Sequence, residues 1–414
     1  MPAVMLSGML LPPARIRLPG ACLVWAALYL AGSHPAAAQL PVSEQEAVQT
    51  ALQRLPRLGA ARADSAAAGA ALRTAAEYPN PALALGYSKD APNYHLELEQ
   101  ELEYPWVRVP RIQAARAALR AAALRVEITR ARIRYDVTAA YAAAAAARQI
   151  AALSVQQAAS GAELLRIARA RRDAGDASDL DVDLAAVNAA QLLSALLADS
   201  LQLTAATLEL QGAMGLPVDS PRIVATDTLP ATFAAPADSA LAVAAGEAER
   251  TAAERRLAEQ RRGRIPAPAL RVGIEQGDPS GDATGLLPTV GVSIPLPLFH
   301  RNGGAVAAAR ADADRAAAEL AQAKLDAALA VALAERARAV AQARLAADRS
   351  ALAGASRVAT LSLTAYREGA FPLAAVLDAQ RSAWDAGRQV LEDIATLRTA
   401  EAAVALARFG GVRP

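Results

Sequence analysis

The chain has 414 residues, enough for two or three ordinary domains, but its composition is not that of an ordinary globular protein. Hydrophobic residues make up 54% of it and aromatic residues only 4%, so the apolar content is largely Ala and Leu, which favours long, closely packed helices. The 43 basic and 41 acidic side chains nearly cancel and form no basic block. Nucleic-acid binding therefore has no electrostatic support.

The first 38 residues are typical of a secretory signal peptide. Arg15 and Arg17 precede an apolar core at 23–31, and the small residues at 36–38 form a cleavage site. We therefore expect the mature chain to begin at Gln39. The start codon stays open among Met1, Met5 and Met9.

The single cysteine, Cys22, belongs to this predicted signal peptide. It lies before the apolar core. Cleavage at a lipidated Cys22 would leave that core on the mature protein, so we do not expect a lipoprotein. Without Cys22 the exported chain has no cysteine, which leaves out disulfides, thiolate metal sites and cysteine nucleophiles.

The two halves of the mature chain carry similar motifs. Segment 78–86 resembles 265–273, so that Pro81 and Gly86 have counterparts in Pro268 and Gly273 at the same spacing. This pattern predicts an internal two-fold repeat. The first unit covers 39–215, a linker or equatorial segment covers 216–237, and the second unit covers 238–414. Repeats of long units usually indicate a function that belongs to an assembly.

In chain order, the first unit opens with a capping box at 43–46, which predicts a short helix, and a second helix follows around 58–77. Residues 82–104 then predict a strand hairpin, because Leu alternates with Glu in the second strand. The second unit has a helix and then a corresponding hairpin at 268–298. Each strand is expected to run about 9–11 residues, the length of a tilted strand that crosses a bilayer.

A long helical pattern follows each strand hairpin. Residues 110–214 and 303–409 are predicted to form helical hairpins with tips near 175 and 369, because no proline interrupts their first arms after Pro110. An arm of about 65 residues extends roughly 100 Å. Apolar residues spaced by three, four and seven indicate coiled-coil packing between arms.

Four strands per chain are too few to form a membrane barrel. An isolated strand pair in lipid would leave its edge N–H and C=O groups unpaired, and known bacterial barrels have eight or more strands. We therefore expect several identical chains to share one barrel, with the helical hairpins forming a tube beneath it.

Three segments carry a resemblance to a known family. Asn80–Leu83, Pro295–Phe299 and 366–381 resemble the outer-membrane efflux protein (TolC) family, and the resemblance covers essentially all of the mature chain. It implies a homotrimer with a twelve-stranded transmembrane barrel, a periplasmic α-helical barrel and an equatorial girdle of short helices. The expected fold class is thus mostly α with a small β part.

The resemblance also implies a function and partners. The expected role is a passive exit duct in the outer membrane of a Gram-negative bacterium, served by a periplasmic adaptor (membrane fusion protein) and an inner-membrane pump of the RND or ABC type. No enzymatic activity and no cofactor are expected. The modest length is similar to that of the cobalt–zinc–cadmium type of heavy-metal efflux members, while drug efflux and type I protein secretion stay open. A periplasmic coiled-coil adaptor or structural protein is the alternative from another class.

The tips supply the candidate gate residues. Gly175 and Gly369 would allow the tight turns. Aspartates at a helix N-terminus are explained by capping and the helix dipole, whereas Asp181 or Asp183, repeated around a threefold axis, would narrow the periplasmic mouth and attract cations. The other candidates are Asp176 and Ser178 in the first tip and Arg367, Phe371, Pro372 and Asp378 in the second. Pro372 stands where the family often has Ser.

The strand hairpin supplies the candidate lumen residues. If the Leu side of the second strand faces lipid, then Glu97, Glu99, Glu101 and Glu103 face the lumen and favour cations. Tyr104, Trp106 and Phe299 fit either an interfacial aromatic belt or packing against the equatorial region. No metal ligand is assigned to His95 or His300.

Overall fold

The computed structural model describes residues 40–217, 223–226, 241–277, 285–299 and 301–410. The predicted signal peptide at 1–38, with Cys22 and the three candidate start residues, lies outside these ranges. So does most of the predicted linker at 216–237.

The fold is mostly helical with a small sheet part, as predicted. In each half of the chain, a pair of strands is followed by a pair of long helices. In chain order the described elements are β1 (Leu40–Val42), α1 (Glu44–Arg54), α2 (Pro56–Ala76), β2 (Ala82–Tyr87), β3 (Tyr94–Glu101), α3 (Pro105–Asp173), α4 (Asp179–Ala213), β4 (Ile223–Ala225), α5 (Leu241–Arg262), β5 (Ala269–Gln276), β6 (Leu286–Ser293), α6 (Gly303–Arg367) and α7 (Leu373–Gly410).

The short elements at the N-terminus pack against the middle of the long helices. The capping box predicted at the start of α1 is confirmed: the Ser43 hydroxyl accepts from the Glu46 amide at 3.3 Å, and the Glu46 carboxylate accepts from the Ser43 amide at 2.9 Å. β1 pairs in parallel with β4. The buried Tyr141 hydroxyl of α3 donates to the Val42 carbonyl of β1 at 3.0 Å, which fixes this small sheet on the helices.

The larger sheet has four antiparallel strands in the order β2-β3-β5-β6. β2 spans six residues and the other three strands span eight, which is shorter than the 9–11 residues expected. The alternation predicted to reach Tyr104 stops at Glu101, because Tyr104 is already the N-cap of α3.

α3 begins at Pro105, earlier than the predicted start at 110, and therefore includes Pro110. Proline has no amide N–H. Inside a helix it therefore cannot donate a hydrogen bond to the carbonyl four residues before it, here that of Trp106. The Arg262 guanidinium, at the end of α5, donates to that carbonyl at 3.2 Å. This long-range hydrogen bond gives the Trp106 carbonyl a donor. The helix therefore continues through Pro110, where the sequence predicts that it begins.

The long helices pack closely because small residues line their contacts. α3 lies against α2, α4, α5 and α7, and α6 lies against α5 and α7. Buried alanines dominate the middle of α3, and Gly161 marks its closest approach to α4: a Cβ there would lie 2.6 Å from Leu192 Cδ1. Such short side chains let helix backbones approach, which explains how so Ala-rich a chain forms a stable core.

A partly buried ion pair joins the two helical hairpins. Asp199 of α4 accepts from Arg388 Nη1 of α7 at 2.9 Å and from the Ser154 hydroxyl of α3. Burial alone raises the pKa of Asp199, but the hydrogen bonds from Arg388 and Ser154 outweigh it, so the net pKa lies below the usual value. The charged carboxylate is therefore the form that stabilises this contact between α3, α4 and α7.

A second buried carboxyl, Asp393 of α7, has the opposite balance. Its Oδ1 lies 3.0 Å from Arg344 Nε and accepts from Gln389 Nε2 at 3.1 Å. Burial and the neighbouring Asp348 nevertheless raise the pKa of Asp393. The interface between α6 and α7 thus disfavours the charge that Asp393 carries at neutral pH.

Neutralising these two aspartates should change stability in opposite directions. Asp199→Asn leaves the Arg388 guanidinium without its counter-ion, and because that guanidinium is partly exposed we expect the free energy of unfolding at pH 7 to fall by only about 2 kcal/mol. Asp393→Asn should raise it, because the variant removes a charge that its surroundings disfavour. Denaturant unfolding of the detergent-extracted protein, followed by circular dichroism, measures both changes.

The pH dependence of these two stability changes provides a control. The folded-state pKa of Asp199 is depressed, so its stabilisation is complete above the unfolded-state pKa and is lost as pH falls through the folded-state pKa. The folded-state pKa of Asp393 is raised, so the gain of Asp393→Asn shrinks as pH falls through that pKa toward the unfolded value. A loss of stability in Asp393→Asn at pH 7 would contradict the assignment for Asp393, and a gain in Asp199→Asn would contradict the assignment for Asp199.

Candidate functional site

The two surfaces predicted to carry function lie at opposite ends of the long helices. The turns after α3 and α6 form the tips of the helical hairpins, and the four-stranded sheet lies at the other ends of these helices.

Both tips are built in the same way. The amide of Asp176 donates to the Arg171 carbonyl at 2.8 Å, and the amide of Ala370 donates to the Ala365 carbonyl at 2.9 Å. Each bond spans a glycine with positive φ, 81° at Gly175 and 78° at Gly369. These are Schellman ends, in which a left-handed residue closes the helix and glycine adopts that conformation without strain. The structure thus places both predicted glycines in the turns.

The acidic residues of the first tip fall into two groups. Asp181 belongs to a capping box, in which its Oδ2 accepts from the Ser178 amide at 3.1 Å and from the Ser178 hydroxyl at 2.9 Å. Asp179 lies 3.8 Å from Arg172. Asp183 is exposed, and its side chain has no hydrogen bond or ion pair with any described residue. Asp176 is likewise exposed and its carboxylate has no such partner, so Asp176 and Asp183 are the carboxylates of this tip that are available to solutes.

The second tip also has exposed charged side chains. Asp378 is exposed, and its carboxylate contacts no other polar group in the described ranges. Arg367 is also exposed and forms no ion pair there. Phe371 is 40% exposed, and the Pro372 carbonyl accepts from the Val376 amide at 3.4 Å at the start of α7.

The link between the two tips comes from a residue that sequence reasoning missed. Arg171, near the end of α3, donates to the Tyr366 carbonyl of α6 at 2.7 Å and to the Asp176 carbonyl at 3.3 Å. Its guanidinium lies 4.8 Å from the centre of the Tyr366 ring. Tyr366 is 3% exposed, and burial raises the pKa of its hydroxyl. Arg171 is hard to recognise in the sequence because Arg172 and Asp173 follow it in an apparently solvated run.

The sheet has one polar face. Glu97, Glu99 and Glu101 of β3 share it, and their neighbours on β5 carry charge too. Arg271 lies 3.3 Å from Glu97 and 3.2 Å from Glu99, and His95 Nδ1 lies 3.4 Å from Glu275. The register places small residues of β2 and β6 on the same face: Ala82, Ala84, Gly86, Thr289, Gly291 and Ser293.

Glu103 does not continue this face. It lies beyond the end of β3, its side chain is 8% exposed, and it accepts from Arg111 Nη2 at 2.8 Å. Arg108 Nε lies 3.8 Å away. The carboxylate thus holds the first turns of α3 to the end of the strand, while a cavity of about 580 Å³ lined by Glu99, Glu101 and Glu103 opens beside it.

The opposite face of the sheet is apolar and exposed. Its large exposed apolar side chains include Leu83, Leu85, Tyr87, Tyr94, Leu96, Leu98, Val272, Ile274, Leu286, Val290 and Val292, and the polar Gln100 and Gln276 also lie on this face. Aromatic pairs lie at both ends of β3: the Tyr87 and Tyr94 ring centres are 5.2 Å apart, and Tyr104 stacks on Trp106 at 4.4 Å. Among the residues that the structure describes, no group of three or more His, Cys, Asp or Glu side chains could hold a metal ion.

This fold has known counterparts. Residues 237–409 match the family model described as outer membrane efflux protein. The outer membrane protein VceC from Vibrio cholerae is 19% identical with a TM-score of 0.71, and the match covers 89% of this chain and 96% of that chain. The Campylobacter jejuni CmeC outer membrane channel is 15% identical with a TM-score of 0.72, covering 89% and 86%.

The open state of the Neisseria gonorrhoeae MtrE outer membrane channel is also similar, at 17% identity and a TM-score of 0.65, with 89% of each chain covered. None of the curated proteins matches this chain in sequence. The family match covers residues 237–409, and the structural matches, each over 89% of the chain, show that it shares the fold of these outer membrane proteins.

Replacing Arg171 should loosen the tip locally. In Arg171→Met the two carbonyl hydrogen bonds and the contact with the Tyr366 ring are lost, so we expect faster hydrogen exchange of backbone amides in 366–372. Mass spectrometry of peptic peptides measures this exchange. The adjacent Arg172→Met is the matched control, because Arg172 contacts only exposed aspartates. Equal exchange in both variants would show that Arg171 does not hold the tip.

Proposed function

We propose that three copies of this chain assemble into an outer-membrane channel, the exit duct of a tripartite efflux system. The observation that carries the proposal is the four-stranded sheet with an exposed apolar face and two open edges. The family match and the channel folds of the similar structures support the same function.

The open edges require partners in lipid. β2 and β6 are the outer strands, and each has one row of backbone groups that pairs with nothing in the described sheet. Such groups cost several kcal/mol each in hydrocarbon, about the cost of a lost hydrogen bond. All neighbouring strands are antiparallel, so β6 of one copy can pair antiparallel with β2 of the next. Three copies then give a closed barrel with an even number of strands.

The helices have matching unpartnered surfaces. α4 has exposed Leu193, Leu197 and Leu201, and α6 has exposed Leu325, Leu329 and Leu333. α4 is also the one helix of the described ranges that is long and apolar enough to cross a membrane. Insertion would break the partly buried Asp199–Arg388 pair, so we assign these leucines to contacts between copies instead. Their spacing of four suits helix packing.

The aromatic pairs mark the depth of the membrane. Tyr87 and Tyr94 lie at the hairpin end of β3, and Tyr104 and Trp106 lie at its helical end. Tyr and Trp prefer both interfaces of a bilayer, so the apolar face between the pairs would contact lipid. The long helices then extend into the periplasm.

In this arrangement the chain conducts solute passively, and the energy and the choice of cargo come from an inner-membrane pump and a periplasmic adaptor. The polar face lines the lumen. Arg271 offsets part of the charge of Glu97 and Glu99, while Glu101 and Glu275 keep the face acidic, which favours cations. This charge supports heavy-metal cations as the substrate class. Drug efflux and type I protein secretion are the alternative cargoes.

Disulfide trapping tests the shared barrel. Because the sequence has no cysteine after residue 22, no native cysteine of the mature chain competes with the introduced pairs. Ala84→Cys on β2 is combined in turn with Thr289→Cys, Gly291→Cys and Ser293→Cys on β6. One register should give a covalent trimer in denaturing electrophoresis after mild oxidation. These pairs cannot form within one copy, because β3 and β5 separate β2 from β6. Only monomers in all three combinations, from protein extracted from the membrane, would contradict the proposal.

The trimer also permits a test of the gate. We propose that Asp183 and Asp378, two exposed carboxylates without partners among the described residues, narrow the periplasmic mouth. The double variant Asp183→Asn, Asp378→Asn should raise single-channel conductance in planar bilayers and reduce its preference for cations over anions. Asp181→Asn is the matched control: it weakens a helix cap without changing the mouth, and conductance should stay the same. The reverse result would assign the gate to Asp181.

A further inference from the structure

We propose that arginines at the junction of the sheet and the helices bind the phosphate groups of anionic phospholipids in the membrane leaflet nearest the helices. The residues are Arg261, Arg264 and Arg301, called here the basic collar. The inference rests on the proposed function in one respect, that the apolar face of the sheet lies in a membrane.

The collar is a local excess of positive charge in a chain whose charges otherwise nearly balance. Between 254 and 264 the sequence has five arginines and two glutamates. Glu254 pairs with Arg250 at 2.8 Å, and Glu259 is half-buried beside Arg111 and Arg256. All three collar side chains are exposed, and none is within 4 Å of a carboxylate of the described residues.

Three hydrogen bonds bring the collar to one place. Asn302 Nδ2 donates to the Gln260 carbonyl and side-chain oxygen, both at 3.1 Å, so Arg301 is adjacent to the end of α5. Arg262 donates to the Trp106 carbonyl at 3.2 Å. Because Arg262 is the chain neighbour of Arg261 and contacts Trp106, the collar lies at the same end of the sheet as the aromatic pair Tyr104 and Trp106, where the proposed lipid-facing surface ends.

Helix dipoles do not explain the collar. Arg261 lies in the last turn of α5, where a cation is favourable, but Arg264 lies beyond the helix end. Arg301 precedes the N-terminus of α6, where the dipole disfavours a cation. The positive charge of Arg301 is thus electrostatically unfavourable within the chain. An anion bound from outside the chain would offset this cost.

The apolar surface beside the collar points to lipid as that anion's source. The exposed face of β6 continues past the strand end through Ile294, Leu296, Leu298 and Phe299, whose exposed fractions run from 61% to 100%. An apolar segment that ends two residues before an arginine suits insertion among acyl chains with the guanidinium at phosphate depth. The periplasmic leaflet of an outer membrane consists of phospholipids, and basic residues near a surface attract the anionic ones.

Trp106 provides a reporter at the collar. The variant Trp384→Phe leaves it as the one tryptophan after the predicted signal peptide. The full chain is reconstituted into phosphatidylcholine vesicles that contain increasing fractions of brominated phosphatidylglycerol or brominated phosphatidylcholine, and quenching of Trp106 fluorescence gives the relative binding of the two lipids. We expect phosphatidylglycerol to bind at least about fivefold more strongly at low salt. The preference should disappear in Arg261→Gln, Arg264→Gln, Arg301→Gln.

The control variant Arg166→Gln, Arg172→Gln, Arg357→Gln removes three exposed arginines near the tips and should keep the preference. Equal quenching by both lipids in the parent protein would overturn the collar while leaving the membrane location intact. No quenching by either lipid would overturn the membrane location itself. A preference that survives in the collar variant would assign it to other residues and also contradict the inference.

Discussion

The structure depends on one constraint, which is that every backbone N–H and C=O group of a strand in lipid needs a partner. The sheet satisfies this for β3 and β5 and for one edge each of β2 and β6. Nothing within the described chain can satisfy the remaining edges, because the long helices leave the sheet at its helical end and do not cover it. In the proposed channel, closure therefore comes from identical copies, and the antiparallel order makes that closure geometrically simple.

The helical part solves a different problem, which is how an Ala-rich chain fixes the relative position of very long helices. Alanine contacts are uniform, so one helix can slide along another at little cost. Buried polar groups remove this freedom: Asp199 has its partners on two other helices, and a slide by one turn would separate them. The raised pKa of Asp393 shows that not every such group is favourable by itself. Fixing the axial alignment of one helix against another is a known role of buried polar contacts.

The sequence predicted the features that depend on local pattern. The capping box at Ser43, the alternation in β3 and the glycine turns at the tips follow from spacings of a few residues, and each has a short-range physical cause. The features that it did not predict depend on contacts between distant residues. Arg262 replaces the hydrogen bond that Pro110 cannot make, and Arg171 reaches Tyr366 across the tips. Neither partner can be identified from spacing, since the fold alone brings them together.

The same reasoning separates the charges that stabilise the chain from those available to a solute. Asp181 and Glu103 looked equivalent to their neighbours in the sequence, but one caps a helix and the other holds α3 to the sheet. A carboxylate with two donors at hydrogen-bond distance has little potential left to attract an ion. Asp176, Asp183, Asp378 and Glu101 have no such donors among the described residues, so they would contribute strongly to the field inside a channel. An acidic motif thus predicts the sign of the lumen charge, while the hydrogen bonds of each member decide which residues supply it.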